Sequence, residues 1–326
     1  MFRRIAICSL LTVILFAISP GSAQQPAKVP RIGFLYAGSP SGQLARAQAF
    51  RQGLRELGYV EGKNILIEYR YAEGKFDRLP DLAAELVRLK VDVIVTSGPR
   101  PTRAAKEATV TIPIVMAQDT DPVGSGFVAS LARPGGNITG LSTLASELGG
   151  KQLDLLKEII PKLARVAVFG SSTPGTLQRL REAELAAGAI GVKVQYLDIQ
   201  GPKDIETVFR AASKGRADAV LVFGGAVLTS HRTQVVELAV KNRLPATYNV
   251  QEFVEDGGLM SYSANIYDLS RRAATYVDKI LKGANPADLP VEQPKKFELI
   301  INLKAAKQIG LTIPPTVLAR ADKVIK

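Results

Sequence analysis

RIGFLYAGSPSGQLARAQAFRQGLRELG, Arg31 to Gly58, holds the reading that decides the fold. Arg31 to Tyr36 is an apolar run of strand length that stops at Ala37-Gly38-Ser39-Pro40, small and turn-forming residues. Leu44, Ala47, Phe50, Leu54 and Leu57 then recur at steps of three and four, which stripes one face of a helix, and Gly58 supplies a left-handed stop. A strand entering a helix through a short small-residue loop is half of a parallel crossover unit.

The pattern continues toward the C-terminus. Ile65 to Tyr71 reads as a second strand, Leu79 to Leu89 as an amphipathic helix, Val91 to Thr96 as a third strand ending at Ser97-Gly98-Pro99, and Ile114 to Met116 as a fourth. After Pro161 the same order returns. Arg165 to Phe169 is a strand, Gly170-Ser171-Ser172-Thr173-Pro174 its loop, a helix runs through about Ala187, and strands follow at Val192 to Asp198 and Ala219 to Phe223, with a helix near Ile205 to Ala212 between them. The expected fold class is therefore α/β: two Rossmann-like lobes, each built on a parallel sheet with right-handed crossovers. Leu259 to Ser263 and Phe297 to Ile301 add strands, Leu269 to Leu281 a helix, and another helix starts at about Leu303. Without a long linker, these late segments must cross between lobes, near Thr143, Met260 and Pro290, so the junction is a hinge of several crossings. The predicted division is 29–143 plus 260–289 for lobe 1, and 144–259 plus 290–326 for lobe 2.

Toward the N-terminus, Arg3 and Arg4 precede the apolar run Ile5 to Ile18 and the small-residue segment Ser19-Pro20-Gly21-Ser22-Ala23. The run is shorter than the roughly 20 residues of a bilayer-spanning helix, so residues 1–23 read as a signal peptide cleaved after Ala23 and the mature chain as periplasmic. The single cysteine, Cys8, lies inside that leader, which excludes thiol chemistry in the mature protein. The net charge of +12 comes from Lys and Arg interleaved with Asp and Glu, with no basic arm, and argues against nucleic acid as a partner.

In open parallel sheets ligands bind beyond the carboxyl ends of the strands, where helix N-termini offer unpaired N–H groups. The loops at those ends are small and polar in both halves, which makes Ser39, Ser41, Ser97, Gly98, Ser171, Ser172, Thr173 and Gly224 candidate ligand-binding residues. Each serine alone reads equally as an N-cap or a turn residue. Their recurrence at equivalent points of two facing lobes favours ligand contact. Asp119 and Asp121 are candidates for a ligand ammonium, although Asp121 before Pro122 is also an ordinary N-cap. Tyr248, Tyr262 and Tyr267 offer flat apolar surfaces with a hydroxyl, for a ligand or for the core. Catalytic machinery is not visible. His231 is the only histidine and reads as a surface residue, so neither a metal site nor a triad can be assembled, and no cofactor motif matches. Paired carboxylates of an exported hydrolase have no fixed spacing and stay open.

Two longer stretches, DPVGSGFVASLARPGGNITGLS from Asp121 to Ser142 and GGLMSYSANIYDLSRRAATYVDKILKGANPADLPVEQPKKFELIINLKAAKQIGLTIPP from Gly257 to Pro315, resemble the tryptophan/tyrosine-transport-like family of ABC transporter substrate-binding proteins. The resemblance implies a type I periplasmic binding fold whose interlobe cleft closes on a small solute, such as an amino acid or aromatic compound. It also implies docking of the closed form on an inner-membrane ABC permease with its cytoplasmic ATPase. A monomer without enzymatic activity and without a cofactor is the expectation, and a periplasmic sensing subunit that presents solute to a membrane receptor is the alternative. Two positions depart from the family pattern: Asp119, usually small or apolar, and Asn265, often Asp.

Overall fold

The structure, a computed structural model, describes residues 29–145 and 148–326; the leader, with Cys8 and the expected cleavage site, lies outside the described residues. The first half alternates β1 (Arg31–Tyr36), α1 (Pro40–Glu56), β2 (Leu66–Tyr71), α2 (Leu79–Arg88), β3 (Val93–Ser97), α3 (Pro99–Ala108), β4 (Ile114–Asp119) and β5 (Ile138–Ser142). These strands pair in parallel in the order β2-β1-β3-β4-β5. Next come α4 (Gly149–Ile159), β6 (Arg165–Gly170), α5 (Pro174–Ala189), β7 (Lys193–Asp198), α6 (Asp204–Lys214), β8 (Ala219–Gly224), α7 (Ala226–Ser230), α8 (Arg232–Lys241), β9 (Ala246–Tyr248), α9 (Glu252–Glu255) and β10 (Met260–Ala264). The chain ends with α10 (Ile266–Leu281), β11 (Phe297–Asn302), α11 (Leu303–Gln308), α12 (Pro315–Leu318) and β12 (Lys323–Ile325).

The second sheet has the order β12-β11-β10-β9-β8-β6-β7, with β11 antiparallel to β10. Its segment β7-β6-β8-β9-β10 repeats the topology of the first sheet, so the echo between the halves is a repeat of fold. The central strands are largely buried, as parallel strands covered by helices on both faces must be; every residue of β8, AVLVFG, is enclosed. In each sheet the strand order reverses beside the first strand of its half, at β1/β3 and at β6/β8. Such switch points leave a crevice at the carboxyl ends.

The chain crosses between sheets three times, and two crossings differ from expectation. Met260–Ala264, expected in the first lobe, pairs with β9 and β11 of the second sheet, so that crossing falls between Ala264 and Ile266. The third follows Glu292 rather than Pro290, because Val291 is buried in the core of the first lobe and Glu292 bridges to Leu141. Between these crossings α10 returns to the first lobe and packs along α1. Their contact is tight at Gly53, where an added Cβ would sit 2.2 Å from the carbonyl oxygen of Arg271. Leu44 is exposed in spite of its place in the stripe. Residues Gln43, Arg46, Ala47, Phe50, Gly53 and Leu54 are the buried ones.

Gly53→Ala separates propensity from packing. Alanine is the better helix former by about 1 kcal/mol, whereas a backbone oxygen cannot move aside as a side chain can. The expected outcome is a net loss of about 1–3 kcal/mol in chemical denaturation, opposite in sign to the helix-propensity effect.

Candidate functional site

The carboxyl ends of the two sheets face one another across a cavity of about 130 Å³. An engineered apolar cavity of about 150 Å³ admits benzene, so there is room for a small organic solute. The first lobe contributes Gly38 after β1, Gln43 and Arg46 on α1, Ser97 and Gly98 between β3 and α3, and Gln118 and Asp119 at the end of β4. The second lobe contributes Ser171 and Thr173 after β6, Phe223 and Gly225 at β8, Ser230 on α7 and Asn249 after β9.

Asp119 dominates the polarity of the cavity. Its side chain is 1% exposed; Oδ1 accepts the Asp121 N–H at 3.2 Å, and Oδ2 has no hydrogen-bond partner. Burial pushes its carboxyl up to about 7, only partly opposed by backbone hydrogen bonds. A buried anionic acceptor without a donor is costly unless an outside donor reaches it. Beside it, the Ser97 hydroxyl accepts from Gln118 Nε2 at 2.9 Å, which leaves its own O–H free to donate into the cavity. Gly98, with φ 91°, and Gly225, with φ 128°, turn the chain into the N-termini of α3 and α7. Those left-handed conformations favour glycine.

The lobes touch at both ends of the cavity. At one end, a Cβ added to Gly175 would meet Thr120 Oγ1 at 3.0 Å. At the other, Arg46 of α1 forms a two-pronged bridge to Glu252 of α9: Nε to Oε1 at 2.8 Å and a second bond from the guanidinium to Oε2. Both side chains are 6% exposed. Desolvation alone would lower the Arg46 pKa, but the charge and hydrogen bonds of Glu252 more than offset it and leave it raised. Tyr267 adds a second crossing contact to α9, donating to Glu255 Oε2 at 2.6 Å. Behind the wall of the second lobe, the guanidinium of Arg179 lies 4.1 Å from the centre of the Phe223 ring and donates to the Phe223 carbonyl at 3.1 Å, so it holds a cavity-lining ring in place.

Of the residues singled out from sequence, Ser97, Gly98, Asp119, Ser171 and Thr173 come together in the cavity. The others do not line it. Ser39 caps α1 by accepting the Gly42 N–H, Ser41 is exposed beside it, Asp121 accepts the Gly124 N–H, and Ser172 is exposed and bonded to Asp198. Tyr248 is a core residue stacked on Phe253, with centroids 4.8 Å apart, and Tyr262 packs on Phe297. Gly224 lies behind the wall with a packing role, since a Cβ there would fall 2.3 Å from Asn249 Nδ2. Asn265 also lies outside the cavity: it caps α10 through Oδ1, while its Nδ2 donates to Glu298 at 3.2 Å, a bond that Asp could not make. His231 is partly buried rather than a surface residue, its Nδ1 3.0 Å from the Val227 carbonyl oxygen. Gln43, Arg46, Arg100, Gln118, Ser230 and Asn249 line the cavity and were not foreseen. A readable signal existed for the first two. Traced back from Leu54 through Phe50 and Ala47, the buried face of α1 reaches Gln43 and Arg46.

Comparison with known proteins is consistent with this geometry. The sequence profile of the family described as "ABC transporter substrate binding protein" matches residues 38–325. The chain belongs to that family. A conserved domain protein from Vibrio cholerae O1 biovar El Tor superposes with TM-score 0.86 at 30% identity, covering 91% of this substrate-binding protein and 100% of the other chain. A domain from Streptococcus pneumoniae in complex with L-Trp superposes at 0.82 with 28% identity, over 90% of this chain and 100% of that one. The ligand-free, open structure of a substrate-binding protein with adhesive properties from Clostridium difficile gives 0.66 at 25% identity, over 91% and 100%. A tyrosine-binding protein of Clostridioides difficile is 27% identical over 265 residues, 81% of this chain and 76% of the relative. The match supplies the type I periplasmic binding fold expected from the sequence.

Two outcomes follow. Glu252→Gln leaves the Arg46 charge buried and poorly compensated in the closed form only, so ligand affinity is expected to fall about 10- to 100-fold while the unliganded melting temperature changes little. Calorimetric titration of the variant, alongside an Arg46→Met/Glu252→Met pair that recovers affinity, checks this. For Asp119 the folded pKa of about 7 exceeds the ordinary 3.8, so the neutral acid stabilises the fold at low pH and that contribution is lost as pH rises from about 4 to 7. Asp119→Asn should therefore be more stable than wild type by a gap that widens over that range, reaches a few kcal/mol and is flat above it, as read from unfolding curves at each pH.

Proposed function

We propose that this substrate-binding protein is the extracytoplasmic solute receptor of an ABC importer, and that its solute is a small amine of the amino-acid class, held by its ammonium on Asp119. The carrying observation is the buried, unpartnered Oδ2 of Asp119, a residue in the wall of a cavity lined by both lobes. A ligand ammonium supplies both the missing donor and the positive charge that favours the ionised carboxylate. The carboxylate of the same molecule finds donors nearby in the Ser97 hydroxyl and in the Arg100 N–H of the first turn of α3, where Pro99 and Pro101 carry none; a helix N-terminus contributes roughly 0.3–1 kcal/mol toward an anion. Phe223, Pro99 and Ala226 provide apolar wall between the polar groups. The names of the tyrosine-binding relative and of the tryptophan complex support an amino acid with a large side chain.

In this reading the solute contacts both lobes only when they are closed, and that differential affinity draws the protein into the closed form. The closed form then docks on a membrane permease, and the chain carries out no covalent chemistry. Export by the N-terminal leader places the mature chain in the periplasm, where it acts as a monomer. The loop residues Ser171 and Thr173 belong to the proposed site as contacts from the second lobe.

The test is a thermal-shift screen followed by calorimetric titration with amino acids and their desamino and decarboxylated analogues. Loss of the amino group is expected to cost at least about 100-fold, as for any buried charge left unpaired. Affinity should fall about tenfold per pH unit below about 7, because the Asp119 proton must leave first, and this slope should vanish in Asp119→Asn. Desamino analogues that bind as tightly as the amino acids would refute the assignment.

A further inference from the structure

The positive charge of the chain is gathered by the fold onto one pole. In the second lobe the loops that lead from helix back to strand lie at the amino ends of β6, β7, β8 and β9, on the side of the sheet opposite the cavity. Residues 160–165 carry Lys162 and Arg165, residues 190–193 carry Lys193, residues 214–218 carry Lys214 and Arg216, and residues 241–245 carry Lys241 and Arg243. All seven cations are exposed, and none has a carboxylate partner among the described residues. The one acid in these loops, Asp218, is occupied by the Ala164 and Arg165 N–H groups at 2.9 and 2.8 Å, and Glu158 at the end of α4 is paired with Arg320.

The topology alone does not require this. The first lobe repeats it, yet its three corresponding loops, residues 57–65, 89–92 and 109–113, balance Lys63 and Lys90 against Glu61 and Asp92. The charges of the second lobe also work against one another. Arg165 and Lys193 are direct partners in the register of β6 and β7, where like charges repel. Arg216 and Arg243, like Lys90 of the first lobe, take the left-handed turn after their helices, at φ 53° and 50°, where glycine or asparagine is the less costly residue. Uncompensated repulsion of this kind weakens the folded state, and an outside anion relieves it.

We propose that this pole of the second lobe adsorbs reversibly to an anionic phospholipid surface. The register of β7, β6, β8 and β9 sets the four loops at one level, and three strand spacings make the array roughly 15 Å wide. A level array spread over four strand ends matches a plane of phosphates. None of the four loops carries an aromatic side chain on which a nucleic-acid base could stack. Exposed cations act on a charged membrane only within about a Debye length, roughly 8–10 Å, so the contact is reversible and sensitive to salt. The length of the strands, roughly 20 Å, separates the patch from the cavity, so adsorption leaves both cavity walls free and does not rest on the identity of the solute.

The test is flotation of the mature chain with phosphatidylcholine vesicles, either pure or carrying about one third phosphatidylglycerol. Binding is expected to the anionic vesicles alone at about 50 mM salt, and to disappear at about 1 M, where the Debye length is about 3 Å. Arg165→Gln, Lys193→Gln, Arg216→Gln and Arg243→Gln combined should lower the vesicle partition coefficient at least about tenfold. The melting temperature of that variant should equal or exceed that of wild type, because repulsion has been removed, which separates lost adsorption from lost folding. Lys63→Gln with Lys90→Gln, in the first lobe, should leave vesicle binding unchanged. Equal binding to neutral and anionic vesicles, anionic binding that survives the four substitutions, or an equal loss in the Lys63 and Lys90 variant would overturn the proposal. Capture of a soluble polyphosphate by the wild-type chain, with no binding to either vesicle, would overturn the lipid surface as the partner.

Discussion

Each sheet is built from one continuous run of strands, β1 to β5 and β6 to β12, so what holds their carboxyl ends face to face is the helix that the chain returns from the second sheet to the first lobe. The return of α10 onto α1, with Gly53 against the Arg271 carbonyl, meets that constraint. It anchors the end of the second repeat to the first lobe, while β10 and β11 on either side stay in the second sheet. Three short crossings join the lobes. The cavity is lined by residues of both lobes.

The cavity walls are polar in an uneven way. Where the lobes touch directly, charge is matched: Arg46 meets Glu252 in a bridge enclosed between them. A buried pair of this kind contributes little net stability against an apolar pair, but its geometry is demanding and penalises partial closure. Where the lobes are separated by the cavity, polar groups lack partners: Asp119 Oδ2, Gln43 Oε1 and Asn249 Oδ1 are all acceptors. A core assembled for stability alone avoids such groups. Arg179 is different, because its hydrogen bonds and its stacking on Phe223 serve the wall itself. Burial without a carboxylate partner lowers its pKa to about 9.

Much of the lobe architecture was legible before the structure, because strand and helix periods are local properties of the chain. RIGFLY, VDVIVT and RVAVFG become β1, β3 and β6 within two residues of their expected bounds, and Gly58 takes the left-handed stop at φ 88°. Strands β5 and β9 were less visible. Gly140 interrupts the first, where the register against β4 shifts, and the second spans only Ala246–Tyr248. Missing β9 hid Asn249, since its place at a strand end is what points it out. The serines split by role. Ser97 and Ser171 line the cavity, while Ser39 is occupied as a cap, and nothing in the local sequence separates these outcomes.

The sequence by itself determined the alternation of strand and helix, the repeat of one topology in two halves, and the small polar loops at the strand ends, because each rests on spacings within a few turns of chain. Only the tertiary structure decided which loop residues line the cavity and which cap a helix, that Gln43 and Arg46 are turned inward, and that Arg46 finds Glu252. Those outcomes depend on how two lobes, joined by three crossings, enclose one volume. Burial and pairing across that volume are set by chain segments up to 206 residues apart, a separation that no local periodicity reports.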